Sequence, residues 1–190
     1  RSLYTDMAHG GRYFSFLCEE LPEIIARNFH ISQAREDHIV IGGSMGGYGA
    51  LRAAFLHPER FGVCCALSSG YLFLKDFFDE IRTGGHDPRY RARYGEQFFL
   101  DLYRAFGENL DWRPEYEITE LAIRLAKDPK RPKLYLSCGE QDPLFSDNRR
   151  LSEVLDRMGD PHTFDRFPGD HGWPHFDRAL ARAIQFCFSR

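Results

Sequence analysis

Ile39-Val40-Ile41-Gly42-Gly43-Ser44-Met45-Gly46-Gly47-Tyr48-Gly49-Ala50-Leu51 is the stretch that decides the fold. Ile39 to Ile41 is a β-branched run, suited to a buried strand. Ala50-Leu51-Arg52-Ala53-Ala54-Phe55-Leu56 is a run of good helix formers. Strand, serine walled by glycines, helix is the pattern of a nucleophile elbow. Such a turn forces its serine into a strained backbone conformation. The residues two places away on either side must lack a Cβ so that strand and helix can pass closely. Ser44 is thereby held clear of the turn at a helix N-terminus, where the backbone N–H of Met45 is offered to a developing oxyanion. A Gly-x-Ser-x-Gly also arises by chance in glycine-rich loops; the flanking strand and helix are what make this one specific. A phosphate-binding loop is excluded, because no Gly-Lys-Ser/Thr follows and no lysine is near.

Composition sets limits around this stretch. A chain of 190 residues has room for one well-buried domain, not two comfortable ones, so 1–190 reads as a single domain. With 43% hydrophobic and 15% aromatic residues it is not a disordered chain. A net charge of −3 and the lack of any Arg/Lys run give no reason to expect a nucleic-acid partner. No apolar stretch approaches membrane-spanning length, and the first twenty residues carry no signal-peptide core, so no membrane partner is expected. The five cysteines (Cys18, Cys64, Cys65, Cys138, Cys187) are odd in number and irregularly spaced. They read as reduced thiols, which favours a cytoplasmic location. The chain starts at Arg1, inside what reads as a loop, so an upstream segment is expected to have been cut away.

Outward from the elbow, strands and helices alternate. Tyr13 to Asn28 has helical spacing, with Phe14, Leu17, Leu21, Ile24 and Ile25 on one face and Pro22 as a possible kink. After helix 45–56, Phe61 to Ser68 is a second buried strand. Tyr71 to Lys130 breaks the rhythm: it is aromatic-rich, interrupted by Gly84-Gly85, Pro88 and Pro114, and reads as several short helices forming a cap insert. The alternation then resumes with strand Leu134–Cys138, helix Asn148–Met158, strand His162–Phe167 and a closing helix, Phe176–Phe188. Buried strands alternating with helices predict an α/β fold, a mostly parallel sheet with helices on both faces. No internal repeat or low-complexity segment is present.

A serine nucleophile needs a base, and the base an orienting acid, each just past a strand end in the order Ser, Asp/Glu, His. Strand Leu134–Cys138 runs into Gly139-Glu140-Gln141-Asp142-Pro143, and strand 162–167 runs into Pro168-Gly169-Asp170-His171-Gly172-Trp173. Asp142 and His171 are therefore the candidate acid and base, with Glu140 and Asp147 as rival acids. Asp-Pro is also a common turn former, so Asp142 has a purely structural reading too. His171 and His175 suggest a metal pair only weakly: no glutamate motif accompanies them, and the nearby prolines and glycines argue against a regular helix. No metal or cofactor is expected. Gly43 and Trp173, beside the nucleophile and the base, are candidate substrate contacts.

Tyr4-Thr5-Asp6-Met7, Phe16-Leu17-Cys18-Glu19-Glu20-Leu21-Pro22, Gly43-Ser44-Met45-Gly46-Gly47-Tyr48-Gly49-Ala50, Pro58-Glu59-Arg60-Phe61 and Asp170-His171-Gly172-Trp173 together carry a family resemblance. The chain resembles the esterase family of α/β-hydrolases that includes tributyrin esterases, S-formylglutathione hydrolases, feruloyl and acetyl-xylan esterases, and mycolyltransferases. The tributyrin-esterase branch is the most similar, and the match is weakest across 71–130. The resemblance implies a serine carboxylesterase acting on short acyl esters, with Ser44, Asp142 and His171 as triad and Met45 as one oxyanion-hole donor. It also implies a second donor from a loop after an early strand, for which too little sequence precedes Ser44. The N-terminal strands are thus expected to be missing. His9-Gly10-Gly11 mimics a lipase oxyanion motif but opens a helix instead of closing a strand. The alternatives are acyl transfer of the mycolyltransferase type and a non-catalytic ligand- or carbohydrate-binding module on the same scaffold. A small-molecule ester is the expected partner, with a homo-oligomer left open.

Overall fold

A computed structural model describes residues 1–84 and 88–189. In chain order the elements are α1 (Tyr13–Ser15), a π-helical turn (Phe16–Glu20), α2 (Leu21–Asn28), β1 (Ile39–Gly43), α3 (Met45–Leu56), β2 (Val63–Leu67), α4 (Leu74–Gly84), α5 (Pro88–Tyr94), α6 (Glu96–Phe106), α7 (Ile118–Leu125), β3 (Lys133–Gly139), α8 (Phe145–Arg157), β4 (Thr163–Phe167) and α9 (Trp173–Phe188). They form two compact units: Arg1–Ile31 with Phe73–Tyr116, and Ser32–Leu72 with Glu117–Arg190. The expected insert, 71–130, is divided between them, since α7 packs on α3 of the sheet unit.

The sheet unit holds four parallel strands in the order β1-β2-β3-β4. Ile39 pairs with Val63, Val63 with Lys133, and Tyr135 with Thr163. This is the α/β architecture that the alternation predicts. Successive side chains point to opposite faces. On one face Val63, Cys65, Leu67, Tyr135 and Phe167 form a cluster closed by Ala179 and Ala183 of α9, whose small side chains let the helix lie close. On the other face α3 crosses β1 so closely that a Cβ on Gly42 would overlap the Gly46 carbonyl. β2 is buried along its whole length, whereas β1, at one end of the sheet, is partly exposed. Burial pushes the Cys64 and Cys65 thiols far above the usual range, so both act as small hydrophobes. None of the five cysteines forms a disulfide. Among the described residues no helix is long and apolar enough to cross a membrane.

In the other unit the expected helix Tyr13–Asn28 is broken into α1, the π turn and α2. Pro22 lies in the first turn of α2, where its missing N–H does least harm, and the widened turn stands just before it. The expected apolar face is also not all core. Of that face only Phe14 is buried; Leu17, Leu21 and Ile25 are half-buried, Ile24 is 46% exposed and α2 buries nothing. His9-Gly10-Gly11 sits in a turn between the bridged residues Asp6 and Arg12, with the His9 N–H donating to the Arg104 carbonyl at 2.8 Å. The aromatics largely satisfy one another. Phe77, Tyr94 and Phe98 pack ring against ring, with Tyr94 stacked on Phe98 at 5.1 Å, and Phe78, Phe106 and Tyr116 form a second set.

Two helix starts differ from expectation. α8 begins at Phe145, not Asn148, and α9 at Trp173, not Phe176. Pro174, which in sequence argues against a regular helix, occupies the first turn of α9, where a proline ring is pre-set for the helix. His175 is therefore helical.

Candidate active site

The site is built from the C-terminal ends of β1, β3 and β4, which a parallel sheet brings to one edge. Ser44 follows β1 directly and caps α3 with φ 55° and ψ −122°, a backbone strained for any residue with a Cβ. The strain is held from several sides. The Ser44 N–H donates to the Leu67 carbonyl at 2.9 Å, and the Ser44 carbonyl accepts from Gly47 and Gly70 N–H groups, both at 3.0 Å. Met45 is the first residue of α3, so its N–H is among those a helix leaves without an internal partner.

Asp142 lies three residues past β3 and His171 four past β4. The His171 Nδ1 is 2.7 Å from Asp142 Oδ2, and the His171 Nε2 is 2.8 Å from Ser44 Oγ. A carboxylate can only accept, so Nδ1 carries the proton, and Nε2 is left to accept from the serine hydroxyl. The other Asp142 oxygen accepts from the Leu144 N–H at 2.8 Å, and the carboxyl group is wholly buried while the imidazole is 30% exposed. Of the rival acids, Glu140 is exposed and Asp147 stands in the first turn of α8. Asp142 is the one that meets the histidine. An imidazole fixed in one tautomer and aimed at a hydroxyl can take that proton and return it.

The two loops that carry Asp142 and His171 are tied to each other. The Glu140 N–H donates to the Phe167 carbonyl at 3.1 Å, the Gln141 N–H to the Gly169 carbonyl at 3.0 Å, and the Gly169 N–H to Gln141 Oε1 at 2.8 Å. A side chain at Gly139 would overlap the Gly169 carbonyl, so the close approach needs glycine there. His175 lies beneath, 1% exposed, stacked on Phe167 at 4.5 Å, and burial holds its pKa below the ordinary histidine value. It supports the base loop from below, a role the sequence did not suggest. Phe176 presents its ring edge-on to His171 at 5.1 Å. It also lies 3.0 Å from where a Gly43 Cβ would be, so Gly43 faces Phe176. Trp173 is 81% exposed and packs one edge on Phe176 at 6.3 Å.

The model of the family described as "Putative esterase" matches residues 8–187. The chain belongs to that esterase family. It is 30% identical to an acetyl esterase of Caldicellulosiruptor saccharolyticus over 97% of its own length and 67% of the relative's. Among solved structures it is similar to FphF, a fluorophosphonate-binding serine hydrolase of Staphylococcus aureus, with a TM-score of 0.80, 27% identity, and coverage of 100% of this chain and 68% of that one. It is also similar to the S. aureus S-formylglutathione hydrolase FrmB, with a TM-score of 0.78, 27% identity, and coverage of 99% and 68%. This esterase chain therefore spans about two thirds of the length of these relatives.

Proposed function

We propose that this esterase hydrolyses short-chain acyl esters by two-step acyl transfer through Ser44, His171 and Asp142. His171 takes the proton of Ser44 Oγ as the oxygen attacks the ester carbonyl. The Met45 N–H stabilises the tetrahedral oxyanion, and His171 then gives its proton to the leaving alcohol. Water, deprotonated by the same imidazole, attacks the acyl-serine, and collapse of the second tetrahedral adduct frees the acid and Ser44. Asp142 stays ionised throughout and stabilises the imidazolium. The observation that carries the reading is the unbroken chain from Asp142 Oδ2 through His171 to Ser44 Oγ, with links of 2.7 and 2.8 Å. The similarity to an acetyl esterase supports a small acyl group. Trp173, exposed beside the histidine, is the proposed wall for the alcohol part of the substrate, and the open backbone at Gly43 a contact for the acyl part.

The test is labelling and turnover together. The chain should show a burst with p-nitrophenyl acetate and take up one fluorophosphonate. Ser44→Ala should lose both, with kcat falling on the order of 10⁶-fold, at unchanged thermal stability. A labelled Ser44→Ala variant would move the nucleophile elsewhere. Binding of esters or sugars by the unaltered chain with no burst and no label would favour the binding-module reading.

A further inference from the structure

The Asn148 side chain hydrogen-bonds to none of Ser44, His171 and Asp142, yet it is 1% exposed and spends every polar atom on the two loops that frame them. Its Nδ2 donates to the Ser69 carbonyl at 2.9 Å and to the Leu144 carbonyl at 2.8 Å. Its Oδ1 accepts from the Ser69 N–H at 3.0 Å. Asn148 thus closes a two-point clamp on one residue of the β2 exit loop and pins the end of the acid loop with its remaining donor.

Both ends of the clamp lead to reacting groups. Leu144, whose carbonyl Asn148 holds, donates its N–H to Asp142 Oδ1 at 2.8 Å. Ser69 sits against the elbow so closely that a Cβ on Gly47 would overlap its hydroxyl, and the next residue, Gly70, donates its N–H to the Ser44 carbonyl at 3.0 Å. The loop needs holding, because Ser68 and Tyr71 on either side of Ser69-Gly70 both have positive φ, 45° and 57°. A loop strained at both ends keeps its shape only when its surroundings fix it.

We infer that Asn148 is a positioning residue for the proposed reaction: it sets the acid-bearing loop and the elbow-bracing loop in one register, so that Asp142, His171 and Ser44 line up. This rests on the triad reading of the preceding section. A supporting side chain of this kind acts on rate more than on substrate binding, since misplacement of about 1 Å can reduce turnover roughly 10²-fold.

The experiment uses the chain with Asn148→Leu, similar in volume and without polar atoms, and Asn148→Asp, which keeps the acceptor for the Ser69 N–H and loses both donors. Each is made alone and with Asp142→Asn. Thermal melting fixes a temperature at which every variant is folded. There, kcat and KM for p-nitrophenyl acetate and the rate of fluorophosphonate labelling are measured. Asn148→Leu should lower kcat and the labelling rate by about 10²-fold together, with KM changed less than about threefold. In the Asp142→Asn background the same change should cost less than about threefold, because the alignment it supports is already lost. Asn148→Asp carries the same expectation should the leucine variant not fold. A folded variant with unchanged kcat overturns the inference, and so does a full, additive loss in the Asp142→Asn background, which marks a structural role only. Ser44→Ala, run beside them, separates the two levels. If it keeps its label, the triad reading fails; if it loses the label while the Asn148 variants behave as the parent, only the positioning role fails.

Discussion

The two halves of the candidate site share both kinds of support, close glycine packing and hydrogen bonds, but lean on them to different degrees. At the end of β1, Ser44 is fixed by what its neighbours lack: α3 crosses β1 where Gly42 has no side chain, and the strained turn fits only there. At the ends of β3 and β4 the two loops also need a glycine, Gly139, to meet, but Asp142 and His171 themselves are fixed by what their neighbours supply. These include the Leu144 N–H on the carboxylate, the Gln141 side chain on the Gly169 N–H, and His175 and Phe176 packed beneath and beside the base. A half made by steric absence should fail abruptly on a single added methyl group. A half made by hydrogen bonds should lose alignment by degrees and stay folded.

The sharpest break is Gly42→Ala. Its Cβ would meet the Gly46 carbonyl and the adjoining Gly47 backbone, none of which can swing aside. Expression should yield little folded protein, or protein destabilised by more than about 4 kcal/mol and inactive. Gly43→Ala is the control one residue along. Its Cβ would press on the Phe176 ring at 3.0 Å, a side chain that can turn, so the variant should fold with nearly the parent's stability, any kinetic effect falling on KM for the acyl group. Denaturant melts of the two decide the matter, and equal stability would show that the elbow is not held by close backbone approach.

On the other half, Asp142→Asn should leave the melt almost unchanged while kcat falls about 10⁴-fold, because an amide can favour the wrong tautomer and cannot stabilise an imidazolium. Asp147→Asn, five residues on in the first turn of α8, should change kcat less than about threefold. Steady-state kinetics on the pair reads this directly, and a larger loss at Asp147 would reverse the assignment of the acid.

These contrasts track what could be read from the residues alone. The elbow was legible because it is local: strand, glycines, serine and helix follow one another within thirteen residues, and the strain they imply is the strain observed at Ser44. His171 and Asp142 were legible because parallel strands bring their ends together whatever the intervening chain does. Position after β3 favours Asp142 over Glu140 and Asp147, but what separates the three physically, burial and the reach of one carboxylate, is visible only in the structure. Asn148 gave no signal at all. Its partner Ser69 lies 79 residues away, and nothing local marks an asparagine in a helix as the clamp of a distant loop. The spacing of Tyr13–Asn28 predicts one amphipathic helix kinked at Pro22, because periodicity records spacing and not neighbours; the π turn before Pro22 and the exposure of Ile24 depend on what packs there. His175 was misplaced for a similar reason, as Pro174 reads equally as a helix breaker or as a helix start.

His175 also allows the finest test of how the base half is held. Burial disfavours its imidazolium, with Arg178 and His171 acting in the same direction and Asp142 and Asp170 opposing, and the net effect is a pKa below the ordinary value. In the unfolded chain it takes up a proton near pH 6.5. Above that pH His175 is neutral in both states and does not affect stability. As pH falls below about 6.5 the unfolded chain binds the proton first, so stability declines until the folded-state pKa is passed. His162 shares the sign, its pKa also lowered by burial, with its ring 2.7 Å from Ser152 Oγ. His175→Phe keeps an aromatic ring against Phe167 and removes one of the two titrations. Its melting temperature should fall less than the parent's between pH 7 and pH 5, by an amount on the order of a few degrees for a chain of this size. Its kcat at pH 7 should stay within about threefold of the parent's, because Phe176, the Glu140 and Gln141 backbone bonds and the Gln141 side chain still hold the loop. Parallel melting curves for the two proteins would show that His175 sits in the base half without being held neutral by it. A loss of kcat near that of Asp142→Asn at unchanged stability would give it a part in aligning the base that the packing alone does not predict.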